Sequence, residues 1–495
     1  MTTPQTHWPL PDASLPGDVW AYDDLHNPSS HPPLIQDMLS AVQPRSRDGR
    51  PGIAFVHGYS FQRVHAPPPL DMPAHTPDAD GARDRWLHEW LPAATALAHT
   101  LRTFDPSSVA AGAWAATLDA SHREYARVFI GVHLYCLVPV LQAAELFVGA
   151  YARRFGEARR AEGDALLQGF PNRTLDRAIA LWELSRLVRI DGWRVSQTYG
   201  PTQAQRTIQS RLPRVLEEFG QTTDGWLQDV PSWDEDPAIP WRLLLEYAAL
   251  PDDRSPSLAA ARQRAQREAL EAALRAEAPD LARLLPVPQQ YVPVAEDHNV
   301  LCDQRLAAAS RKRWLAIADW LGARGRLVRR DDVFYYSQPE LVALLEGGNA
   351  LPAPALDERR ALQAAWRAMR PPRQLGDAPS TPAATSTGSV VRGIPASPGT
   401  HRGRARLVRS LADATRLAPG DVLLAPAAAP VWTPYYAIAG SLVTDAGGAL
   451  SHAAIVAREY GIPAVVGTGD ATVRIADGTI VVVDGTAGTV TIEPS

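Results

Sequence analysis

Lysine is almost missing from this chain of 495 residues. Its 49 basic residues include a single lysine, Lys312, which stands between two arginines. A nucleotide-binding loop of the Walker A type needs a lysine directly after a glycine, because that ammonium group reaches the β- and γ-phosphates. The sequence therefore excludes a Walker A loop within these residues.

Cysteine is scarce as well. The two cysteines, Cys136 and Cys302, lie far apart in the sequence and neither belongs to a CxxC pair. This pattern predicts neither a disulfide framework nor a cysteine zinc site, and it favours a reducing cytoplasm. The N-terminus lacks a basic segment followed by an apolar one, so we expect no signal peptide. We assign no metal ligands from the sequence.

The chain also lacks a strong net charge of either sign. The formal net charge is −5, which argues against a partner that is a nucleic acid or a membrane surface. One apolar run, Val128–Ala152, could be mistaken for a membrane span, but it contains His133, Pro139 and Glu145. We expect two buried core helices here, with a break at Pro139.

The composition of the chain and the spacing of its apolar residues change three times along the sequence, which predicts a multidomain protein. Residues 1–85 are rich in Pro, His and Asp and predict an irregular segment that wraps the body. Residues 86–370 repeat apolar side chains every three or four positions and predict a large, mainly α-helical domain. Residues 371–389 are rich in Pro, Ser, Thr and Ala and predict a flexible linker. Residues 390–495 alternate short β-type runs with Gly and Pro and predict a small α/β domain.

One stretch of the last region carries chemistry: TDAGGALSHAAIVAREYGIPAVVG, Thr444–Gly467. Ser451 can cap a helix, and Gly461 stands where that helix would end. His452 then takes the first helical position, where unpaired backbone N–H groups and the helix dipole favour an anion. A neutral imidazole there can act as a nucleophile.

The whole stretch resembles the phosphohistidine motif of the phosphoenolpyruvate-utilising enzymes, in which a histidine lies on a swivelling domain. A second stretch, GIPASPGTHRGRARLV at Gly393–Val408, resembles the start of that domain. The resemblance implies that His452 is transiently phosphorylated. It also implies a phosphate-binding role for five nearby residues, Thr444, Gly447, Gly448, Ser451 and Arg458.

The arrangement of the chain is most similar to the acceptor and histidine domains of rifampicin phosphotransferases and to split systems such as phenylphosphate synthase. Relatives of this kind also use an ATP-grasp domain, which normally places lysines on the nucleotide phosphates. The resemblance and the missing lysines together imply a separate ATP-grasp partner chain that holds ATP and Mg²⁺, and no tightly bound cofactor in this chain. A barrel that binds pyruvate is not recognisable either, which argues against pyruvate as the acceptor.

The residues that would bind the phosphoryl acceptor are harder to identify from the sequence. Val294–Leu341 resembles the late part of the helical acceptor domain in these relatives, and Leu166–Arg186 shows a weaker resemblance to the same domain. The arginine of the family's Arg-Glu pair is replaced by Ala295. The three residues that follow, Glu296, Asp297 and His298, include groups that can accept a proton near neutral pH.

We expect His298 to be the general base, with Glu296 as the second candidate. Asp297 is a further candidate for contact with the substrate, and Arg305 or Arg311 could stabilise the phosphoryl charge during transfer. The alternative is that the acidic residues only open a helix and complement its dipole.

Two functions follow from the sequence. The first is a phosphotransferase subunit that passes an ATP-derived phosphoryl group through His452 to a hydroxyl of a small phenolic or alcohol substrate. The second is a phosphoryl carrier or regulatory module that passes the group to another protein. The large helical region favours the first, because a carrier needs only the last domain.

Overall fold

The protein is described here by a computed structural model. It describes residues 8–12, 14–23, 29–42, 46, 48–64, 78–190, 203–223, 227–369, 371–376, 389–409, 411–428 and 430–493.

The N-terminal segment is more regular than the sequence predicts. It contributes a helix and three strands to an antiparallel sheet of order β2-β3-β1-β4, and β4 comes from the predicted linker. Trp20 and Phe61 are fully buried in this sheet, so a few apolar side chains stabilise strands that the turn-rich composition conceals. The remainder of the predicted linker, 377–388, lies outside the described residues. The bounds are β1 (Trp20–Tyr22), α1 (Pro33–Val42), β2 (Ile53–Val56), β3 (Tyr59–Arg63) and β4 (Gln374–Leu375).

The middle of the chain is helical, as predicted. The helices are α2 (Ala82–Arg85), α3 (Leu91–Arg102), α4 (Trp114–Val132), α5 (Val138–Phe155), α6 (Arg160–Ala165), α7 (Arg173–Ile190), α8 (Gln203–Phe219), α9 (Ala238–Ala249), α10 (Pro256–Glu277), α11 (Pro279–Ala282), α12 (Tyr291–His298), α13 (Arg305–Gly322), α14 (Gln338–Leu345) and α15 (Ala353–Ala368). We call residues 78–369 the helical body.

The apolar run forms one continuous helix, because a π-helical turn at His133–Leu137 joins α4 to α5. The predicted break is wrong: the helix continues through Pro139, which follows the π-helical turn directly, where the regular α-helical hydrogen bonds are already interrupted. By length and apolar composition alone, Trp114–Phe155 could cross a membrane. Its buried side chains belong to the main core of the helical body, which is equally typical of a core helix.

The C-terminal region contains a sheet, as predicted. Its eight strands follow the order β5-β12-β11-β7-β8-β9-β10-β6, with β7, β8, β9 and β10 parallel. The bounds are β5 (Val390–Arg392), β6 (Ile394–Ser397), β7 (Thr400–Leu407), α16 (Leu411–Ala414), β8 (Val422–Ala425), β9 (Ser441–Thr444), α17 (His452–Tyr460), β10 (Ala464–Val466), α18 (Ala471–Arg474), β11 (Ile480–Asp484) and β12 (Thr489–Ile492). The chain is thus mostly helical, with a sheet in its C-terminal region.

The two regions share a hydrophobic core. Trp182 and Tyr247, from α7 and α9, pack in one buried cluster with Tyr435, Tyr436 and side chains of α17. Burial of such large aromatic side chains stabilises the contact strongly. The contact places the start of α17 against the helical body.

Candidate active site

His452 begins a short helix whose ends the sequence predicts correctly. The Ser451 hydroxyl accepts a hydrogen bond from the backbone N–H of Ala454, and Gly461 ends α17 in the left-handed conformation, with φ of +65°. Because Ser451 caps the helix, His452 is held at its positive end, where phosphate groups bind favourably.

The loop before His452 is shaped by two glycines. Gly447 has φ of +110°, which L side chains rarely adopt, and a Cβ atom there would lie 3.0 Å from Ser451 Oγ. Gly448 has open space where a side chain would be. The Tyr291 hydroxyl of the helical body donates a hydrogen bond to the Leu450 carbonyl at 2.6 Å, so the loop is held against α12.

Both ring nitrogens of His452 have a partner. Nδ1 lies 2.9 Å from Oε1 of Glu296, and Nε2 lies 3.1 Å from Oγ1 of Thr433. A carboxylate only accepts hydrogen bonds, so Nδ1 carries the hydrogen and Nε2 keeps its lone pair. The Glu296 side chain is fully buried and that of His452 is 11% exposed. Glu296 therefore orients the ring so that Nε2 keeps the lone pair that a nucleophile needs.

Charged and titratable groups surround Glu296. Burial, together with the negative charge of Glu296, raises the pKa of Glu459 to about 8, although Asn172 donates a hydrogen bond to its Oε1. The Arg177 guanidinium is also buried, bonds to Thr222 and Gln304, and interacts favourably with Glu296. The carboxyl group that bonds His452 therefore lies next to a buried guanidinium and a second carboxyl group whose pKa is raised.

A cavity of about 840 Å³ lies between the helical body and the C-terminal region. That volume suits a small organic molecule. The cavity wall is more apolar than polar, and the helical body contributes Leu137, Leu141, Val148 and Tyr291 with the polar residues His133, Glu145, Asp164, Glu296, His298, Asn299 and Asp303. The C-terminal region contributes Gly447, Gly448, Leu450, Ser451, His452 and Ile455.

Six of the predicted site residues line this cavity: His452, Glu296, His298, Gly447, Gly448 and Ser451. The structure thus brings the two candidate bases to the same cavity as the histidine, across more than 150 positions of sequence.

Thr444 and Arg458, predicted to bind phosphate, do not line the cavity. The Thr444 hydroxyl donates to the carbonyl of Ala446 at 2.7 Å. The buried Arg458 guanidinium donates to the carbonyls of Ala396 and Ala449 at 2.8 and 2.7 Å. Burial lowers the pKa of Arg458. Both side chains brace the loop that leads to His452 instead of facing a ligand.

Asp297, Arg305 and Arg311, predicted near the transferring group, lie off the cavity wall too. Asp297 accepts a hydrogen bond from the backbone N–H of Arg173 at 2.8 Å and caps α7. Burial of Arg305 lowers its pKa. Arg311 pairs with Glu235 at 3.1 Å. Arg305 lies 3.5 Å from the Thr95 hydroxyl, so neither arginine contacts the cavity here, and their role in stabilising the phosphoryl group stays a prediction.

The sequence did not single out several residues that complete the site. Thr433 contacts Nε2 of His452, and Asp303 and His133 line the cavity near His298. Asn172 and Arg177 fall within the weaker resemblance at Leu166–Arg186, which was the one available signal for them. The others carry no local motif.

The geometry defines a histidine that a short capped helix presents to a cavity in a helical body. Residues 417–488 match the family described as the PEP-utilising enzyme, mobile domain. This region is therefore a mobile domain of the phosphoenolpyruvate-utilising enzymes, as the sequence predicts.

Similarity to curated proteins extends beyond residues 417–488 into the helical body. Chondramide synthase cmdD from Chondromyces crocatus is 34% identical over 419 residues, which is 76% of this chain and 11% of that protein. A rifampicin phosphotransferase from Bacillus cereus is 27% identical over 58% of this chain and 34% of that protein. A phosphoenolpyruvate synthase from Aeropyrum pernix is 47% identical over 20% of this chain and 12% of that protein.

This chain thus spans between 11% and 34% of the length of these three curated relatives. The chain is related to phosphotransferases of the phosphoenolpyruvate-utilising family.

Proposed function

We propose that this chain transfers an ATP-derived phosphoryl group, by way of His452, to a hydroxyl of a small phenolic or alcohol substrate in the cavity. The observation that carries the proposal is the position of His452: its ring stands on the wall of an 840 Å³ cavity opposite residues of the helical body. A carrier that only served another protein would not need such a cavity.

The transfer to the acceptor follows from the ring geometry. The acceptor oxygen attacks the phosphorus on Nε2, the N–P bond breaks as the O–P bond forms, and Nε2 regains its lone pair. Glu296 stabilises the imidazole in the correct tautomer throughout, as a carboxylate does in hydrolase triads. The proton of the hydroxyl passes to a group on the cavity wall, for which His298 is the first candidate and Glu296 the second.

The nucleotide is proposed to bind to a separate ATP-grasp chain, together with Mg²⁺. Lys312, the one lysine, is held by Asp234 in the helical body and does not line the cavity. The residues around His452 offer no ammonium group for ATP phosphates, which supports this division of labour.

Phosphoramidate, a small donor that phosphorylates histidine, tests the proposal without a partner chain. We expect an acid-labile, base-stable phosphoryl group on the wild-type protein, and its transfer to members of a panel of phenols and alcohols. His452→Ala should lose both by about 10³-fold or more, since a covalent nucleophile is removed. His99→Ala, which changes an exposed histidine of α3, is the matched control. Equal labelling and transfer by His452→Ala would refute the proposal.

A further inference from the structure

Three side chains on the cavity wall turn toward one point. The ligand atoms of His133, His298 and Asp303 all lie within 4.8 Å of one another. Nε2 of His298 is 3.6 Å from Oδ2 of Asp303, and Nε2 of His133 is 3.9 Å from the same oxygen. Two imidazoles and one carboxylate are a frequent ligand set for transition metals.

The tautomers of both histidines are fixed by the backbone. Nδ1 of His133 lies 2.7 Å from the Phe129 carbonyl, and Nδ1 of His298 lies 3.1 Å from the Val294 carbonyl. A carbonyl accepts hydrogen bonds, so each Nδ1 carries a hydrogen and each Nε2 turns its lone pair toward Asp303. A ring N–H bonded to a backbone carbonyl is the usual support for a histidine that ligates a metal through its other nitrogen.

The backbone geometry that creates this convergence is uncommon. His133 starts the π-helical turn His133–Leu137, and Asp303 lies in a second one, Asn299–Gln304, which follows directly after His298. Residues five apart, such as His298 and Asp303, lie about 140° from each other around an α-helix. The wider π turn brings such residues to one side, and π turns occur frequently at functional sites.

The three side chains are largely shielded from water. The side chains of Asp303 and His298 are 4% and 6% exposed, and that of His133 is 21% exposed. Buried charges in proteins are paired or coordinate metals.

We propose that His133, His298 and Asp303 bind one divalent transition-metal ion, with Zn²⁺ as the best match to the ligand set. Separations of 3.6 and 3.9 Å are close to those between ligands that each lie about 2.0–2.2 Å from a tetrahedral Zn²⁺. Three protein ligands leave one position for a molecule in the cavity. This assignment departs from the sequence prediction, which found no metal ligands.

A consequence for catalysis rests on the proposed function. An acceptor hydroxyl in the fourth position would lose its proton more easily, because a bound cation lowers the pKa of a ligated oxygen. His298 would then act as a ligand and not as the general base, since its Nε2 cannot do both at once.

Titration of the chelator-treated chain with Co²⁺, followed by visible absorption and by competition with Zn²⁺, tests the site. We expect one Co²⁺ per chain with the spectrum of a four- or five-coordinate ion. His133→Ala and Asp303→Asn should each weaken binding by about 10²-fold or more. His99→Ala is the matched histidine control and should bind as the wild type does.

His452→Ala separates this proposal from the proposed function. It should keep full Co²⁺ binding, although it would lose phosphoryl transfer. Zn²⁺ should also raise the Tm of the wild type but not that of His133→Ala, provided that circular dichroism shows the variant to be folded. Absence of stoichiometric binding, or binding that is as tight in His133→Ala and Asp303→Asn as in the wild type, would overturn the site.

Discussion

The two walls of the cavity are built in different ways. On the C-terminal side, most wall residues lie in one stretch, Ala446–His452 with Ile455, and only Ala427 and Ala428 come from elsewhere. On the helical side, they range from His133 to Gln304 and come from several helices. The position of His452 therefore depends mainly on one capped helix, whereas the helical wall depends on how the whole helical body packs.

Glu296 of the helical wall contacts His452 of the C-terminal wall. Its substitution is the test of the two walls for which we expect the largest effect. Glu296→Gln keeps a group that can accept from Nδ1 of His452 but removes the negative charge. Supporting partners of this kind are worth about 10–100-fold, so we expect a loss of that size in the rate of transfer to the acceptor. The rate of label transfer from phosphorylated protein measures it.

Glu145→Gln is the matched control for that experiment. Glu145 lines the same cavity, and the change removes the same charge without touching His452. A normal rate in Glu296→Gln, or an equal loss in both variants, would show that the contact across the cavity has no role in transfer.

Asp297 is next to Glu296 in the sequence but faces α7, and it yields a pH prediction. Burial raises the pKa of Asp297 to about 6 from a usual value of 3.8. The folded state therefore binds this proton more tightly than the unfolded state, and its contribution to the free energy of unfolding falls as the pH rises from about 4 to 6. The loss is on the order of 2–3 kcal/mol, at about 1.4 kcal/mol per pKa unit.

Asp297→Asn should remove that loss, because an amide oxygen can still accept from the Arg173 N–H. The variant should match the wild type in urea midpoint near pH 4 and exceed it near pH 7. Asp280→Asn, which changes an exposed residue in the first turn of α11, should show no such pH-dependent difference. A difference in urea midpoint between Asp297→Asn and the wild type that does not grow with pH would contradict the raised pKa of Asp297.

The contrast between a wall set by neighbouring residues and a wall set by distant packing also explains how much the sequence could predict. Ser451, His452 and Gly461 act through their immediate neighbours, and a helix cap, a first helical position and a left-handed end can all be read within ten residues. The helical character of residues 86–370 follows from apolar spacing in the same way. The short strands at Trp20 and Gln374 could not be read, because each depends on pairing with a distant partner.

The roles of the individual residues in the helical wall could not be predicted from the sequence either. Glu296, Asp297 and His298 are consecutive, yet one contacts His452, one caps α7 and one faces Asp303. The direction of each side chain depends on packing and on the π-helical turn that follows, and neither leaves a periodic signal. The positions of Arg305 and Arg311 off the cavity wall could not be predicted for the same reason.

The smallest expected effect concerns the contact between the two regions. The buried Tyr247 hydroxyl of α9 donates to the Pro434 carbonyl of the C-terminal region at 2.8 Å. Tyr247→Phe leaves that carbonyl buried without this donor, which costs about 1–2 kcal/mol, and should speed hydrogen exchange in α17. Tyr151→Phe is the matched control, since Tyr151 donates to Glu162 within the helical body and its loss should not affect α17 selectively. If both variants speed exchange in α17 equally, the two regions unfold as one unit and the bond from Tyr247 does not control their contact.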